Sequence, residues 1–147
     1  MKFCAIGLDN PKFNVNVGSA LRAADVCGAS FVSTTGRRYK GSPTDVSAAY
    51  RKLPLFRIDN LKKAIPLDCV PVAIDLMEGS QSLVDYEHPD RAFYIFGAED
   101  ATLGKRITDF CRDVVHVPTN GCMNLAASVN VVLYDRLAKD KNDNNCL

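Results

Sequence analysis

The sequence lacks several features that would assign a function at once. It has only two histidines in 147 residues, His88 and His116, and they lie far apart along the chain. It contains no C-x-x-C pair, so neither a metal site nor a histidine-based catalytic triad is supported. The net charge is only +1, whereas a protein that presents a basic surface to nucleic acid as a whole is strongly positive.

Long apolar runs are also missing. No stretch of about 18 apolar residues occurs, so we expect no membrane-spanning segment. The beginning of the chain, MKFCAIGLDNPKFN, has an apolar run too short for a signal peptide, and we expect a cytoplasmic protein. In that compartment the six cysteines are expected to be free, buried thiols. We expect residues 1–147 to form a single domain with a frayed polar tail at about 140–147.

Short apolar runs rich in β-branched residues alternate with helical patterns along the chain. Strands are predicted at residues 2–8, 29–34, 53–58, 69–76, 91–97 and 113–118. Helices are predicted at residues 16–28, 59–65 and 123–140, and residues 98–111 are predicted to form a turn and then a helix. This alternation predicts an α/β fold with a mostly parallel sheet and helices on both faces. Ligands bind such sheets beyond the carboxyl ends of the strands. The candidate loops are therefore those after Phe96, after Val117 and before Val17.

Arg22 is the one basic side chain in a helical segment of mostly small and apolar residues. An Arg in an amphipathic helix usually lies on the solvated face. Here Asn16 and Gly18 precede it by one to two turns, which is typical of a helix that packs closely against another surface. A guanidinium fixed in such a place suits a phosphate or another anion. Both interpretations stay open from these residues alone.

Two further segments join the end of a strand to a turn. In FYIFGAEDATLG, Gly97 would let a ligand approach the backbone, while Glu99 and Asp100 either serve a ligand or only complement the dipole of the next helix. The spacing of the glycines is not that of a dinucleotide-binding G-x-G-x-x-G loop. In VPTNGCMN, Asn124 opens the longest helix, and for this piece alone a simple N-cap is favoured over a ligand site.

The segment GRRYKG holds the densest positive charge in the chain. It places Arg37, Arg38 and Lys40 around Tyr39. Such a segment is either a solvated loop or a loop that contacts phosphates and stacks its ring on a base.

Together, three motifs resemble the SpoU/TrmH family of RNA ribose 2′-O-methyltransferases, in the SPOUT superfamily. The first motif is Asn16, Gly18, Arg22 and Ala23; the second is Phe96, Gly97, Glu99 and Gly104; the third is Val117, Pro118, Met123, Asn124 and Leu125. Their order and spacing match the family from Asn16 to Tyr134.

The resemblance implies a C-terminal trefoil knot, a homodimer, and S-adenosylmethionine as the cofactor, with no metal. The implied cofactor contacts are Ile74, Gly97, Val117, Cys122 and Met123, and the implied catalytic residues are Arg22, Asn16, Glu99 and Asn124. The implied reaction moves a methyl group to a ribose 2′-hydroxyl. Because a guanidinium stays protonated, Arg22 is expected to act as an electrostatic clamp on phosphate and developing alkoxide, in a site that two chains can share.

The resemblance also implies an RNA partner, with Arg37, Arg38 and Lys40 as the expected contacts. A domain of this size is similar to the minimal tRNA-modifying members, so tRNA is the expected substrate. The chain departs from the family pattern at Ala126 and Asn130, where relatives often have Ser, and the loop from Pro118 to Met123 is short. These departures favour one alternative, a non-catalytic RNA-binding module of the same fold.

Overall fold

The computed structural model describes residues 2–38 and 49–144. The strands are β1 (Phe3–Leu8), β2 (Val32–Thr34), β3 (Leu55–Arg57), β4 (Val70–Ile74), β5 (Gln81–Ser82), β6 (Arg91–Phe96) and β7 (Asp113–His116). The α-helices are α1 (Asn14–Val26), α2 (Lys105–Thr108) and α3 (Leu125–Asn144). Short 3-10 turns lie at Ala49–Arg51, Leu61–Ala64 and Leu83–Asp85.

The described strands form a single parallel sheet in the order β3-β2-β1-β6-β4-β7-β5. This confirms the predicted α/β fold. The last strand, β7, lies between β4 and β5, which both precede it in the chain. A strand that is inserted between two strands from earlier in the chain is compatible with a knot. The knot itself stays a prediction.

The side chains of β6 show how the sheet is covered on both faces. Tyr94 and Phe96 pack in the same apolar cluster as residues of α1 and α3, whereas Phe93 and Ile95 pack with residues of α2 and the second 3-10 turn. All four side chains are buried. A parallel strand buried on both faces is continuously apolar, which is why this segment is recognisable as a strand from sequence.

The ends of the helical segments follow local signals in the sequence. Helix α1 ends at Val26, and Gly28 follows with φ of 76°, a left-handed conformation that glycine adopts without steric cost. The N–H of Gly28 donates to the carbonyl of Asp25 and closes the last turn. The side chain of Asn60 accepts the N–H of Lys62 and caps the second 3-10 turn.

Three segments depart from the expected elements. The helix predicted at residues 59–65 is only a 3-10 turn at Leu61–Ala64. The sequence predicts only a polar loop between β4 and β6, but Gln81 and Ser82 of β5 pair there with Val115 and His116 of β7. A strand of two residues has no periodicity that could reveal it. Helix α3 continues through Asn144, so residues 140–144 of the expected tail are helical and residues 145–147 lie outside the described part.

A buried polar network joins α3 to the amino end of the sheet. Arg136 is 4% exposed and donates to the hydroxyl of Tyr94 and to the carbonyl of Asp90. His88 lies between Tyr94 and Asp135, with its Nδ1 2.6 Å from the Tyr94 hydroxyl and its Nε2 2.8 Å from Asp135 Oδ2. Burial lowers the pKa of His88 below its ordinary value, although the hydrogen bond to Asp135 opposes this effect. His88 is therefore a neutral structural side chain at pH 7.

The cysteines correct one expectation. The five that lie in the described part of the chain are free thiols, and Cys4 and Cys69 are buried. Burial raises the pKa of the Cys111 thiol to about 12. Cys122 is exposed, so the expectation of buried thiols is wrong at that position, and Cys146 lies outside the described residues.

None of the helices within residues 2–38 and 49–144 has the length and apolar character needed to cross a membrane.

Candidate active site

A cavity of about 490 Å³ lies at the carboxyl ends of β4, β6 and β7, which are neighbours in the sheet. The loops that follow these strands form its walls, and the first residues of α3 close one side. The lining residues include Ile74, Asp75 and Leu76 after β4, residues 96–102 after β6, and His116, Val117, Thr119, Gly121, Cys122 and Met123 after β7. Sites for small molecules have volumes of about 300–1,000 Å³, and in α/β sheets they lie at this edge.

The predicted cofactor contacts come together in this cavity. All five of them line it: Ile74, Gly97, Val117, Cys122 and Met123. They come from the end of β4 and from the loops after β6 and β7, which are distant in sequence but adjacent in the sheet. Their role as cofactor contacts stays a prediction.

The wall formed by the β6 loop, residues 97–104, is tightly folded at its two ends. A Cβ atom at Gly97 would lie 3.2 Å from the carbonyl oxygen of Ala101, so a larger residue there would displace the loop. At the other end, Asp75 Oδ2 accepts the N–H of Leu103 at 2.8 Å, and its Oδ1 accepts the N–H of Leu76 at the same distance. Asp75 thus joins the β4 loop to the β6 loop.

Glu99 joins the same wall to helix α1. Its Oε1 accepts a hydrogen bond from Asn16 Nδ2 at 2.5 Å, and its Oε2 accepts one from the backbone N–H of Lys12 at 3.0 Å. Burial raises the pKa of Glu99, but these hydrogen bonds outweigh that effect, so the pKa lies below its ordinary value. Glu99 is therefore ionised at neutral pH and accepts hydrogen bonds rather than donating a proton.

Asp100 joins the β6 loop to the basic segment after β2. Arg38 Nη1 lies 3.0 and 3.2 Å from the two carboxylate oxygens of Asp100, and Arg38 Nη2 donates to the carbonyl of Asn10. Lys12 Nζ is 3.4 Å from the same carboxylate. The hydrogen bond from Arg38 is the largest cause of the lowered pKa of Asp100. Of the other predicted RNA contacts, Arg37 is exposed and Lys40 lies outside the described residues.

Three of the four predicted catalytic residues, Arg22, Asn16 and Asn124, lie outside the cavity lining, although Asn16 is hydrogen-bonded to Glu99, which lines it. The side chain of Arg22 is exposed on α1 and makes no hydrogen bond or ion pair with any other described residue. Arg22 follows Asn16 by six positions, a rise of about 9 Å along the helix axis. Asn124 precedes α3, and its Oδ1 accepts the N–H of Ala127 at 2.8 Å, which confirms the N-cap interpretation.

Sequence reasoning missed His116, which lines the cavity. Its Nδ1 is 2.9 Å from Ser80 Oγ, and that hydroxyl donates to the carbonyl of Met77. His116 is the last residue of β7, and the strand-end rule that selected Val117 could have found it. The described part of the chain contains no group of three or more side chains suited to hold a metal ion.

These features define a small-molecule-binding α/β domain whose cavity walls are tied to neighbouring loops by ionised carboxylates. The sequence matches the SpoU rRNA Methylase family over residues 4–134, and the chain belongs to that family. The match confirms the family that the three motifs predict. No curated protein sequence matches the chain.

Solved structures share the fold at low sequence identity. The SpoU methyltransferase AviRb from Streptomyces viridochromogenes has a TM-score of 0.83 and 21% identity, and the alignment covers 97% of this chain and 62% of AviRb. The TrmH/SpoU tRNA modifying enzyme of A. aeolicus has a TM-score of 0.85 and 16% identity, covering 98% and 78% of the two chains. A protein whose structure concerns the 2-OH methylation of C/U34 on tRNA has a TM-score of 0.82 and 20% identity, covering 96% and 98%. The chain thus spans less than two thirds of AviRb, and these similarities confirm the fold.

Proposed function

We propose that this protein transfers a methyl group from S-adenosylmethionine to a ribose 2′-hydroxyl of RNA, with tRNA as the substrate. The observation that carries the proposal is the convergence of three distant motifs on the cavity. Gly97, Val117 and Met123 line it, and Asn16 is hydrogen-bonded to Glu99 in its wall. Membership of the SpoU rRNA Methylase family supports RNA methylation, and AviRb in complex with the cofactor AdoMet supports the choice of methyl donor.

The cavity suits S-adenosylmethionine in size and in lining. Apolar side chains offer walls for an adenine ring, and these are Ile74, Leu76, Phe96, Val117 and Leu125. Bound S-adenosylmethionine supplies a methyl group on a positively charged sulfur. The ionised carboxylate of Glu99 borders the same space, and its negative charge favours a cationic ligand.

We assign Arg22 to the RNA. Its guanidinium is exposed and has no partner among the described residues, so it is available to a phosphate. Because a guanidinium stays protonated, Arg22 would stabilise the target phosphate and the developing alkoxide rather than remove the proton. A phosphate oxygen or a water molecule would then accept the proton of the 2′-hydroxyl.

We further propose that the protein is a homodimer in which Arg22 acts at a site shared between two chains. Arg22 lies on the exposed side of α1 together with Val15 and Val26, which are 56% and 70% exposed. These positions are spaced so that they share one side of the helix. Tyr134 of the neighbouring helix α3 is 70% exposed as well. Apolar side chains around an unpartnered cation fit a surface that a second copy covers.

The choice of tRNA rests on two of the similar structures and on the basic segment. One of these structures is a TrmH/SpoU tRNA modifying enzyme, and the other concerns the 2-OH methylation of C/U34 on tRNA. Arg37, which is exposed, and Lys40 are the proposed phosphate contacts of the segment after β2.

Methyl transfer is tested with purified protein, methyl-labelled S-adenosylmethionine, and tRNA and rRNA in separate reactions. We expect label in 2′-O-methyl nucleosides released from tRNA, and a loss of about 10²–10³-fold in rate for Arg22→Ala with unchanged cofactor binding. Arg22→Lys, which keeps the charge but loses the planar fork, should retain part of the rate.

Three other results would revise the proposal in different ways. Label confined to methylated bases would contradict the ribose as the acceptor. Label confined to rRNA would contradict tRNA as the substrate. Salt-sensitive RNA binding without any transfer would instead identify a non-catalytic RNA-binding module, the alternative that Ala126 and the short loop before Met123 favour.

A further inference from the structure

The basic segment after β2 and the cavity wall meet at Arg38. We propose that Arg38 is a positioning residue for the cofactor cavity, which holds the β6 loop in place through Asp100, and that it is not an RNA contact. The inference rests on the proposed function, because it names a residue that sets the affinity of the cavity for S-adenosylmethionine.

Arg38 is bound on two sides by groups of the protein. Its two terminal nitrogens lie 3.0 to 3.2 Å from the carboxylate oxygens of Asp100, and one of them also donates to the carbonyl of Asn10. The Nε atom is buried and has no hydrogen-bond partner among the described residues. The planar guanidinium fork suits a carboxylate in this bidentate arrangement. A single side chain therefore connects the loop after β1, the loop after β2 and the β6 loop.

The residues that Arg38 holds form part of the cavity itself. Glu99, Asp100 and Ala101 all line it. The ends of the β6 loop are fixed by close packing at Gly97 and by the bond from Leu103 to Asp75, whereas its middle is fixed by the contacts of Glu99 and Asp100. Among residues 2–38 and 49–144, only Lys12 Nζ, at 3.4 Å, would still contact the carboxylate of Asp100 if Arg38 were removed. The middle of the wall would then be less well ordered. A ligand would have to order it on binding, and the entropy lost in doing so would weaken the binding free energy.

The local charge argues against an RNA contact at this position. The side chain of Arg38 is 34% exposed, and its charge is already balanced by Asp100. A phosphate that approached Arg38 would also approach the carboxylate of Asp100 and be repelled by it. Arg37, the preceding residue, is exposed and makes no hydrogen bond or ion pair with the described residues. The two adjacent arginines therefore have different roles.

The test compares Arg38→Ala with Arg37→Ala, a matched variant that removes the same charge one position away. Calorimetric titration with S-adenosylmethionine in the absence of RNA measures the cavity alone. We expect Arg38→Ala to raise the Kd for S-adenosylmethionine by about three- to tenfold, and Arg37→Ala to leave it unchanged. In titrations with unmodified tRNA at several salt concentrations, Arg37→Ala should weaken binding and lower the salt slope by about one, and Arg38→Ala should not.

Two further variants separate positioning from a general loss of structure. Asp100→Asn should raise the Kd for S-adenosylmethionine as Arg38→Ala does, and the exchanged pair Arg38→Asp with Asp100→Arg should recover part of the affinity. In steady-state assays, Arg38→Ala should raise KM for S-adenosylmethionine more than it lowers kcat. Thermal unfolding of the ligand-free variants is the control. If Arg38 had a merely structural role, its removal would lower the melting temperature. The exchanged pair would then bind S-adenosylmethionine no better than the single variants.

The outcomes distinguish this inference from the proposed function. A wild-type protein that does not bind S-adenosylmethionine would overturn both. Wild-type binding with an unchanged Kd in Arg38→Ala would overturn the positioning role and leave the proposed function intact. Loss of tRNA affinity in Arg38→Ala, at a level equal to that in Arg37→Ala, would show that Arg38 contacts RNA.

Discussion

The hydrogen bond between Asn16 and Glu99 connects helix α1 to the cavity wall, and its removal tests the geometry of the site directly. Asn16 Nδ2 lies 2.5 Å from Glu99 Oε1, and the second carboxylate oxygen accepts the backbone N–H of Lys12. Asn16→Ala removes one donor. Glu99→Gln keeps the shape of the side chain but replaces one acceptor oxygen with an amide N–H₂ group. That group cannot accept a hydrogen bond, so the donor it faces loses its partner. We expect both variants to lower the free energy of unfolding and to weaken the binding of S-adenosylmethionine.

The magnitude follows from the charge and burial of the pair. A hydrogen bond to a charged group contributes about 1.5–3 kcal/mol when it is buried. Asn16 and Glu99 are only partly buried, so we expect a loss of about 1–2 kcal/mol for each single variant. Because both substitutions remove the same bond, the double variant should lose about 1 kcal/mol less than the sum of the single losses.

The assay is urea unfolding of the wild type, the two single variants and the double variant, followed by circular dichroism. Asn14→Ala is the matched control, because Asn14 lies in the same turn of α1, and we expect it to change the free energy of unfolding by no more than about 0.5 kcal/mol. Strictly additive losses in the double variant would refute the reasoning, since they would mean that Asn16 and Glu99 do not interact in solution.

Three other substitutions test separate parts of the structure. His88→Gln removes a buried imidazole whose pKa lies below the ordinary 6.5, so the wild type should lose stability as the pH falls below 6.5, because only the unfolded chain takes up the proton. Urea titrations between pH 6.5 and pH 5 should show a flatter slope for the variant, and equal slopes would contradict the burial of a neutral His88. Asn124→Ala removes the N-cap of α3 and should cost about 1 kcal/mol in unfolding free energy, whereas Asn124→Asp should retain most of the stability. A loss of methyl transfer in Asn124→Asp at saturating cofactor would show a catalytic role beyond the cap. Gly97→Ala places a Cβ atom 3.2 Å from the carbonyl oxygen of Ala101 and should raise the Kd for S-adenosylmethionine about threefold, and an unchanged Kd would mean that the loop gives way freely.

The sequence predicts the central strands and the C-terminal end of α1 well, because local physics determines them. The start of α1 lies two residues before the predicted one. The strand at residues 91–96 is buried on both faces and is therefore continuously apolar. Gly28 ends α1 because its backbone conformation suits glycine. The strand-end rule also selected the loops after Phe96 and Val117, which border the cavity, since parallel strands end side by side. The five candidate cofactor contacts themselves come from the family resemblance, and their role stays a prediction.

The pairings within the site are not predictable in the same way. Asn16 and Glu99 are 83 residues apart, and Arg38 and Asp100 are 62 residues apart, so no local pattern relates them. In the sequence, Arg37 and Arg38 carry the same charge and cannot be told apart. The fold shows that Arg38 is already paired with the carboxylate of Asp100. The two-residue strand β5 is likewise determined by its pairing with β7 and not by its own residues.

The place of Arg22 leads to a last prediction about the assembly. Its side chain is exposed on α1 and lies outside the lining of the cavity in its own chain, while Asn16 of the same helix contacts the cavity wall. If Arg22 acts in the cavity of a partner chain, two inactive variants should complement each other when mixed. Arg22→Ala leaves the cavity intact, and Gly97→Val blocks it by crowding the carbonyl of Ala101.

A mixed dimer of these variants would contain one complete site, formed by the intact cavity of one chain and the intact Arg22 of the other. Random mixing in equal amounts makes half of the dimers mixed, so about a quarter of the wild-type transfer should return after the chains exchange. Each variant alone provides the baseline, and circular dichroism confirms that Gly97→Val folds. If Arg22 served its own cavity, each site would be built from one chain alone. Every site in the mixture would then lack either Arg22 or an open cavity, and the rate would stay at the baseline.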